Sequence, residues 1–72
     1  MLSIGTLVVF TWWSSYRAPS AVVNELGHVT WHEIKPGDKG VVVGHENDEN
    51  LIVLFSSVDS LLRVNRVMLV KV

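Results

Sequence analysis

The sequence contains no cysteine among its 72 residues. This absence excludes disulfide bonds, thiolate metal sites and cysteine nucleophiles. A chain of this length makes one domain and buries only roughly 60–65% of its unfolded surface, so its stability has to come from apolar packing or from a partner. Apolar residues make up 49% of the sequence, and valine, which favours strands, is the commonest residue.

An excess of positive charge is also lacking. The sequence has six Lys and Arg residues and seven Asp and Glu residues, which gives a formal net charge of −1. Proteins dedicated to duplex DNA usually carry a basic excess, because neutralising phosphates supplies most of their non-specific affinity. The composition therefore disfavours that class of protein.

Long hydrophobic runs are missing as well, since none approaches the ~20 residues of a membrane span. The apolar stretch 2–13 has no Lys or Arg before it and is interrupted by serine, glycine and threonine. It therefore predicts a first strand, over residues 4–13, rather than a signal peptide. We expect no membrane association and a cytoplasmic location.

The chain is organised around one predicted β-hairpin. Residues 39–45 and 51–55 are rich in valine, leucine and isoleucine, and the polar loop 46–50 separates them. Such apolar continuity between polar turns predicts that residues 41–43 and 51–55 are the most buried parts of the chain. A turn at 35–38 precedes the hairpin, with Pro36 fixing φ and Gly37 supplying a positive φ.

The segments around this hairpin are predicted from the same signals. After the turn 56–60, two further strands are expected at 61–64 and 69–72, with a tight bend at 65–68 between them. Residues 14–27 are irregular, although 20–26 can form one helical turn capped by Ser20. Within this loop Val22, Val23 and Leu26 are expected to pack against the domain. The alternating segment 28–34 is either a short strand or an extended arm of the loop.

Five short strands with a long first loop predict an all-β fold, a small five-stranded barrel, which removes exposed sheet edges. The stretch KPGDKGVVVG (35–44) resembles the turn and strand of KOW-type and translation proteins. VNRVMLVKV (64–72) is similar to the 3₁₀ bend and final strand that close SH3-like barrels. The resemblance covers residues 34–72 and implies an SH3-like barrel, a fold that serves as peptide binder, RNA binder or complex subunit.

Aromatic and basic side chains are the candidates for ligand contacts. Aromatic rings gather in or beside the long first loop, where they can stack on prolines or bases, or simply plug the barrel end. Arginines near the C-terminus, together with one in the loop, form either ordinary solvated cations or a small basic face. The candidate ligand-binding residues are Trp12, Trp13, Tyr16, Arg17, Trp31, Arg63 and Arg66.

Catalysis and metal binding lack a supporting pattern. His28 and His32 lie in an extended segment, ~13 Å apart, too far to share a zinc ion with bonds of ~2.1 Å. The sequence has no G-x-S-x-G elbow and no phosphate-binding G-x-x-x-x-G-K-[ST] loop. We expect no enzyme activity, no metal and no cofactor.

The predicted function is a non-catalytic interaction module that docks onto a protein partner or associates with itself. The alternative is a KOW-like module that binds RNA or single-stranded DNA. Strand 51–55 is apolar on both faces, so either its odd-numbered or its even-numbered residues point outward, depending on register. Because a barrel has only one inside, the outward set favours a homo-oligomer.

Overall fold

A computed structural model describes residues 2–72 of the chain. It contains seven strands and one short 3₁₀ helix, Arg66–Met68. The strands are β1 (Leu7–Phe10), β2 (Tyr16–Pro19), β3 (Trp31–Ile34), β4 (Lys39–His45), β5 (Asn50–Phe55), β6 (Leu61–Asn65) and β7 (Leu69–Lys71). The all-β prediction is confirmed, and the strands of the central hairpin lie within one residue of the predicted bounds.

Five of the strands form one antiparallel sheet in the order β6-β5-β4-β1-β7. The β4–β5 hairpin is therefore central, and β1 lies between β4 and β7. The predicted first strand, 4–13, is longer than β1, because a turn with positive φ at Gly5 precedes it. The predicted turn at 35–38 is present: Gly37 has a φ of 98°, and the Asp38 carboxylate accepts from the Lys35 amide at 2.9 Å.

The long first loop carries a second, two-stranded sheet made of β2 and β3. Residues 28–34 thus contain a short strand, one of the two forms expected. The helical turn that 20–26 could form is absent: residues 21–22 form a bend and residues 25–26 a turn. The backbone satisfies itself differently there: the Asn24 side-chain oxygen accepts from the amides of Leu26 (2.9 Å) and His28 (3.1 Å).

Ser20 attaches this hairpin to the main sheet. Its hydroxyl donates to the Val22 carbonyl at 2.8 Å and accepts from the Thr30 amide at 3.1 Å. Ser20 also bridges to Leu62 on β6, and the next amide, that of Ala21, donates to the Leu61 carbonyl at 2.7 Å. Because Ser20 is buried, its hydroxyl needs hydrogen-bond partners, and its position directly after β2 supplies them.

Strand pairing does not close a barrel within residues 2–72. The edge strands β6 and β7 are not paired with each other, and the backbone of the hairpin is joined to β6 by the isolated bridge at Ser20 and the adjoining Ala21 amide rather than by a continuous ladder. The observed architecture is a five-stranded sheet with a two-stranded hairpin packed on its inner face. The core lies between them, where Ala18 and Ile34 of the hairpin are fully buried.

The core follows a two-residue alternation along each strand. On the central hairpin, Val42 pairs with Val53 on the inner face, and both are fully buried. The other inner residues are Val8, Phe10, Leu51, Phe55, Leu62, Val64, Met68 and Leu69. The register left open by the sequence is thus settled: the odd-numbered residues of β5 point inward, and Ile52 and Leu54 point outward.

The expectation that 41–43 and 51–55 are the most buried parts of the chain holds for alternate residues only. Leu54 is 40% exposed, and Val43 is also exposed because the pairing shifts between Val42 and Gly44, leaving Val43 in a bulge. A bulged residue has no direct partner, so its side chain leaves the regular alternation. Leu54 is therefore not a core residue.

Leu62→Ala and Leu54→Ala compare the inner and outer faces of neighbouring strands. Leu62→Ala should lower the free energy of unfolding by ~2–5 kcal/mol, because it leaves a cavity at a fully buried site. Leu54→Ala should cost about 1 kcal/mol or less, since its side chain is 40% exposed. Urea denaturation followed by circular dichroism measures both; equal losses would contradict the assigned register.

Gly40→Ala and Gly44→Ala compare two glycines of β4. A β-carbon at Gly40 would lie 2.7 Å from the Leu54 carbonyl oxygen and 2.9 Å from Val53 Cγ1, so β5 would have to shift. At Gly44 the nearest atom is Ile52 Cδ1 at 3.6 Å, an ordinary contact. We expect Gly40→Ala to destabilise the fold by ~1–3 kcal/mol and Gly44→Ala to have little effect, as measured by thermal unfolding.

Candidate functional site

The outer face of the five-stranded sheet carries an apolar row that crosses four strands. Leu7 of β1 pairs with Val41 of β4, Val41 pairs with Leu54 of β5, and Leu54 pairs with Leu61 of β6. Residues directly opposite each other on neighbouring strands share one face of a sheet. Together with Val72, whose amide donates to the Leu7 carbonyl at 3.0 Å, these side chains are called the outer row below.

This row is open to solvent at its β1 side and centre. Leu7 is 60% exposed and Val72 is 67% exposed, while Val41 and Leu61 are partly buried by their neighbours. A groove of about 670 Å³ runs over Leu7, Val41, Leu54 and Val72. Monomeric proteins rarely expose large contiguous apolar patches without a functional reason, so this face is a candidate interaction site.

The groove has one charge of each sign at its border. Lys39 begins β4, and Asp59 lies in the turn between β5 and β6; both are exposed and line the groove. The polar residues at the border belong to the ends of the strands, whereas the middle is apolar. A hydrophobic centre with a polar rim is the usual anatomy of a protein-binding surface.

The aromatic candidates divide into partly buried and exposed rings. Trp12 and Tyr16 pack against the core, and the Tyr16 ring lies 6.4 Å from that of Phe10. Trp13 is 82% exposed, and its ring centroid lies 6.5 Å from that of Trp12. Trp31 is half-exposed and pairs with Pro19 across the hairpin. Trp13 and Trp31 are therefore the most accessible of these four rings for contacts with a ligand.

The hairpin tip is more exposed than expected. Val22, Val23 and Leu26 were predicted to pack against the domain, but all three project into solvent. The reason is the internal bonding of the tip, in which Ser20 and Asn24 satisfy the nearby backbone without folding it onto the sheet. These side chains consequently leave the outer row uncovered.

The three arginines each lie beside acidic residues. Arg63 forms an ion pair with Glu46 of the hairpin loop. Arg17 pairs directly across the hairpin with Glu33. Arg66 donates its backbone amide to the Glu49 carbonyl at 2.8 Å and borders a groove of about 480 Å³ that Glu46 and Asp48 also line. This interleaving of charge reduces the attraction that a phosphate backbone would feel at these cations.

The histidines are spread over separate contacts. The ring Nε2 of His32 is hydrogen-bonded to Thr30 Oγ1 at 3.1 Å, and Nε2 of His45 donates to the Leu2 carbonyl at 2.7 Å. Within residues 2–72 no three His, Asp or Glu side chains group in a way that could hold a metal ion. No helix in that range has the length and apolarity that a membrane crossing needs.

Comparisons of the chain with protein-family models, with curated proteins and with solved structures found no match. The assignment of the outer row as a candidate site therefore rests on the geometry of the structure. None of the outer-row residues is among the ligand-binding candidates named from the sequence. The sequence did contain a signal for them: a strand that is apolar on both faces has one apolar face that the core does not bury. Only the register shows which side chains lie on that face.

Trp12→Ala and Trp13→Ala test the division of the aromatic residues. Trp12 packs against the core, so its truncation should cost ~2–4 kcal/mol of unfolding free energy. Trp13→Ala should change stability by ~0.5 kcal/mol or less, because the ring is largely in solvent. Trp13→Ala should also lower the tryptophan fluorescence that iodide quenches, leaving the part that comes from Trp31. Equal stability losses would contradict the packing described.

Proposed function

We propose that the protein is a non-catalytic interaction module with an SH3-like fold that binds protein through the outer row. The strand order β6-β5-β4-β1-β7, the hairpin between β1 and β4, and the 3₁₀ helix before β7 support the fold assignment. A cytoplasmic location belongs to the same proposal, since the composition suits a compartment in which disulfides are not used.

One observation carries the proposed function: an apolar row crosses four strands on the side of the sheet that the hairpin leaves open. Each exposed leucine or valine would gain ~25 cal/mol for every Å² of apolar area that a partner removes from water. Such a face has little specificity for a small polar substrate. It suits the apolar surface of another folded chain.

The alternative function, binding of RNA or single-stranded DNA, has less support. Stacking needs exposed rings near free cations. Trp13 and Trp31 are exposed, but Arg17 and Arg63 lie beside Glu33 and Glu46. The formal net charge of −1 adds no general attraction for phosphates.

A photoreactive amino acid at position 54 tests the proposal in cells that make the protein. Leu54 lies in the middle of the outer row, so irradiation should yield crosslinked products of higher mass in which the second component is protein. Protease should digest these products, and nuclease should leave their mass unchanged. The control is the same amino acid at Asp48, an exposed residue in the loop at the opposite end of β4 and β5. Adducts from 48 but not 54, or none from either, would contradict binding through the outer row.

Titration with labelled single-stranded RNA and DNA at about 50 mM salt tests the alternative. We expect no saturable change in fluorescence anisotropy. Affinity that is measurable at this salt concentration and falls steeply as salt is added would favour the nucleic-acid function. Nuclease-sensitive adducts in the crosslinking experiment would do the same.

A further inference from the structure

We infer that a second copy of this chain occupies the outer face, packed sheet against sheet about a twofold axis that runs along the strands between β4 and β5. The inference rests on the proposed function of the same face and names its partner. It follows from the order of side chains in the outer row and from the charges at the groove border.

The four cross-strand residues of the outer row are nearly symmetric about its centre. Across β1, β4, β5 and β6 it reads leucine, valine, leucine, leucine. In a twofold interface each contact occurs twice, with the roles of the copies exchanged. An axis between β4 and β5 lays Leu7 of one copy over Leu61 of the second and Val41 over Leu54. Every contact in the row is then apolar, and an axis inclined by about 15° to the strands gives the ~30° crossing usual for packed sheets.

The same rotation pairs the border charges. Lys39 lies at the β4 side of the axis and Asp59 beyond its β5 side, and both line the groove. The twofold rotation therefore brings Asp59 of the second copy toward Lys39 of the first, and Lys39 of the second copy toward Asp59 of the first. Within residues 2–72 neither side chain has an ion-pair partner in the monomer. A border with one charge of each sign suits a copy of itself better than a strongly acidic or basic partner.

The size of the face sets the strength of the association. Five strands spaced by ~4.8 Å, each with about five residues of ~3.3 Å, project roughly 400 Å². A standard stable interface buries roughly 800 Å² on each partner. The pairing should therefore be reversible and depend on concentration, rather than being an obligate dimer.

Sedimentation equilibrium of the purified chain over about 1 µM to 1 mM tests this inference. The apparent mass should rise from 8.0 kDa toward twice that value as concentration increases. Leu54→Lys should remain at 8.0 kDa throughout, because it places a charge at the centre of the row. Leu26→Lys is the matched control: Leu26 is as apolar and more exposed, but it lies on the hairpin tip, so this variant should associate like the wild type.

A charge exchange tests the twofold arrangement itself. Lys39→Glu or Asp59→Lys alone should weaken dimerisation about three- to tenfold, since each change creates two like-charge contacts per dimer. The double variant Lys39→Glu/Asp59→Lys should recover most of the wild-type affinity, because both crossed contacts are attractive again. Circular dichroism and thermal unfolding of each variant verify that the monomer is folded.

Two results would overturn the second copy as the occupant of the outer face. One is a mass of 8.0 kDa at every concentration. The other is dimerisation that Leu26→Lys abolishes and Leu54→Lys does not. Failure of the double variant to recover affinity would overturn the twofold geometry. If position 54 crosslinks to a different protein while the purified chain is monomeric, the second copy is wrong but the proposed function stands; if position 54 yields no protein adduct, the proposed function falls as well.

Discussion

The register between β4 and β5 determines both the core and the outer face of this domain. With Val42 opposite Val53, their side chains point inward, and the next pair, Val41 with Leu54, points outward. A slip of one residue would exchange the two sets, because side chains alternate along a strand. Gly40 helps to hold this register, since the backbone of β5 passes too close for any β-carbon there. The bulge at Val43 then ends the regular alternation.

The existence of the strands could be predicted from the sequence, but the register could not. Polar turns bracket apolar runs at 39–45 and 51–55, and Pro36 and Gly37 mark the turn before them. The segment LIVLF, however, is apolar at every position, so alternation within it carries no information about which face is inside. Contacts with β1 and the β2–β3 hairpin, which are distant in sequence, decide that question together with the adjoining strand β6.

The candidate site was harder to predict because burial separates residues of the same chemical type. Trp12 packs against the core and Trp13 projects into solvent, although they are neighbours with identical side chains. Arg63 and Glu46 are seventeen positions apart in the sequence. They meet because β6, which carries Arg63, and β4, which Glu46 follows, flank β5 in the same sheet. What the composition did indicate was a surplus of apolar side chains over the places a small core offers. The outer row is where that surplus lies.

The position of β1 has a consequence for how the chain acquires its structure. This strand is hydrogen-bonded on one side to β4 and on the other to β7, whose residues are about sixty positions further along. Contacts of such large sequence separation close late and slow the folding of small β-domains. During synthesis β1 can pair with β4 early, but its second edge stays unpaired until Lys71 has left the ribosome. The sheet is therefore completed only after translation has passed β7, and until then β1 is an exposed edge that other nascent chains can contact.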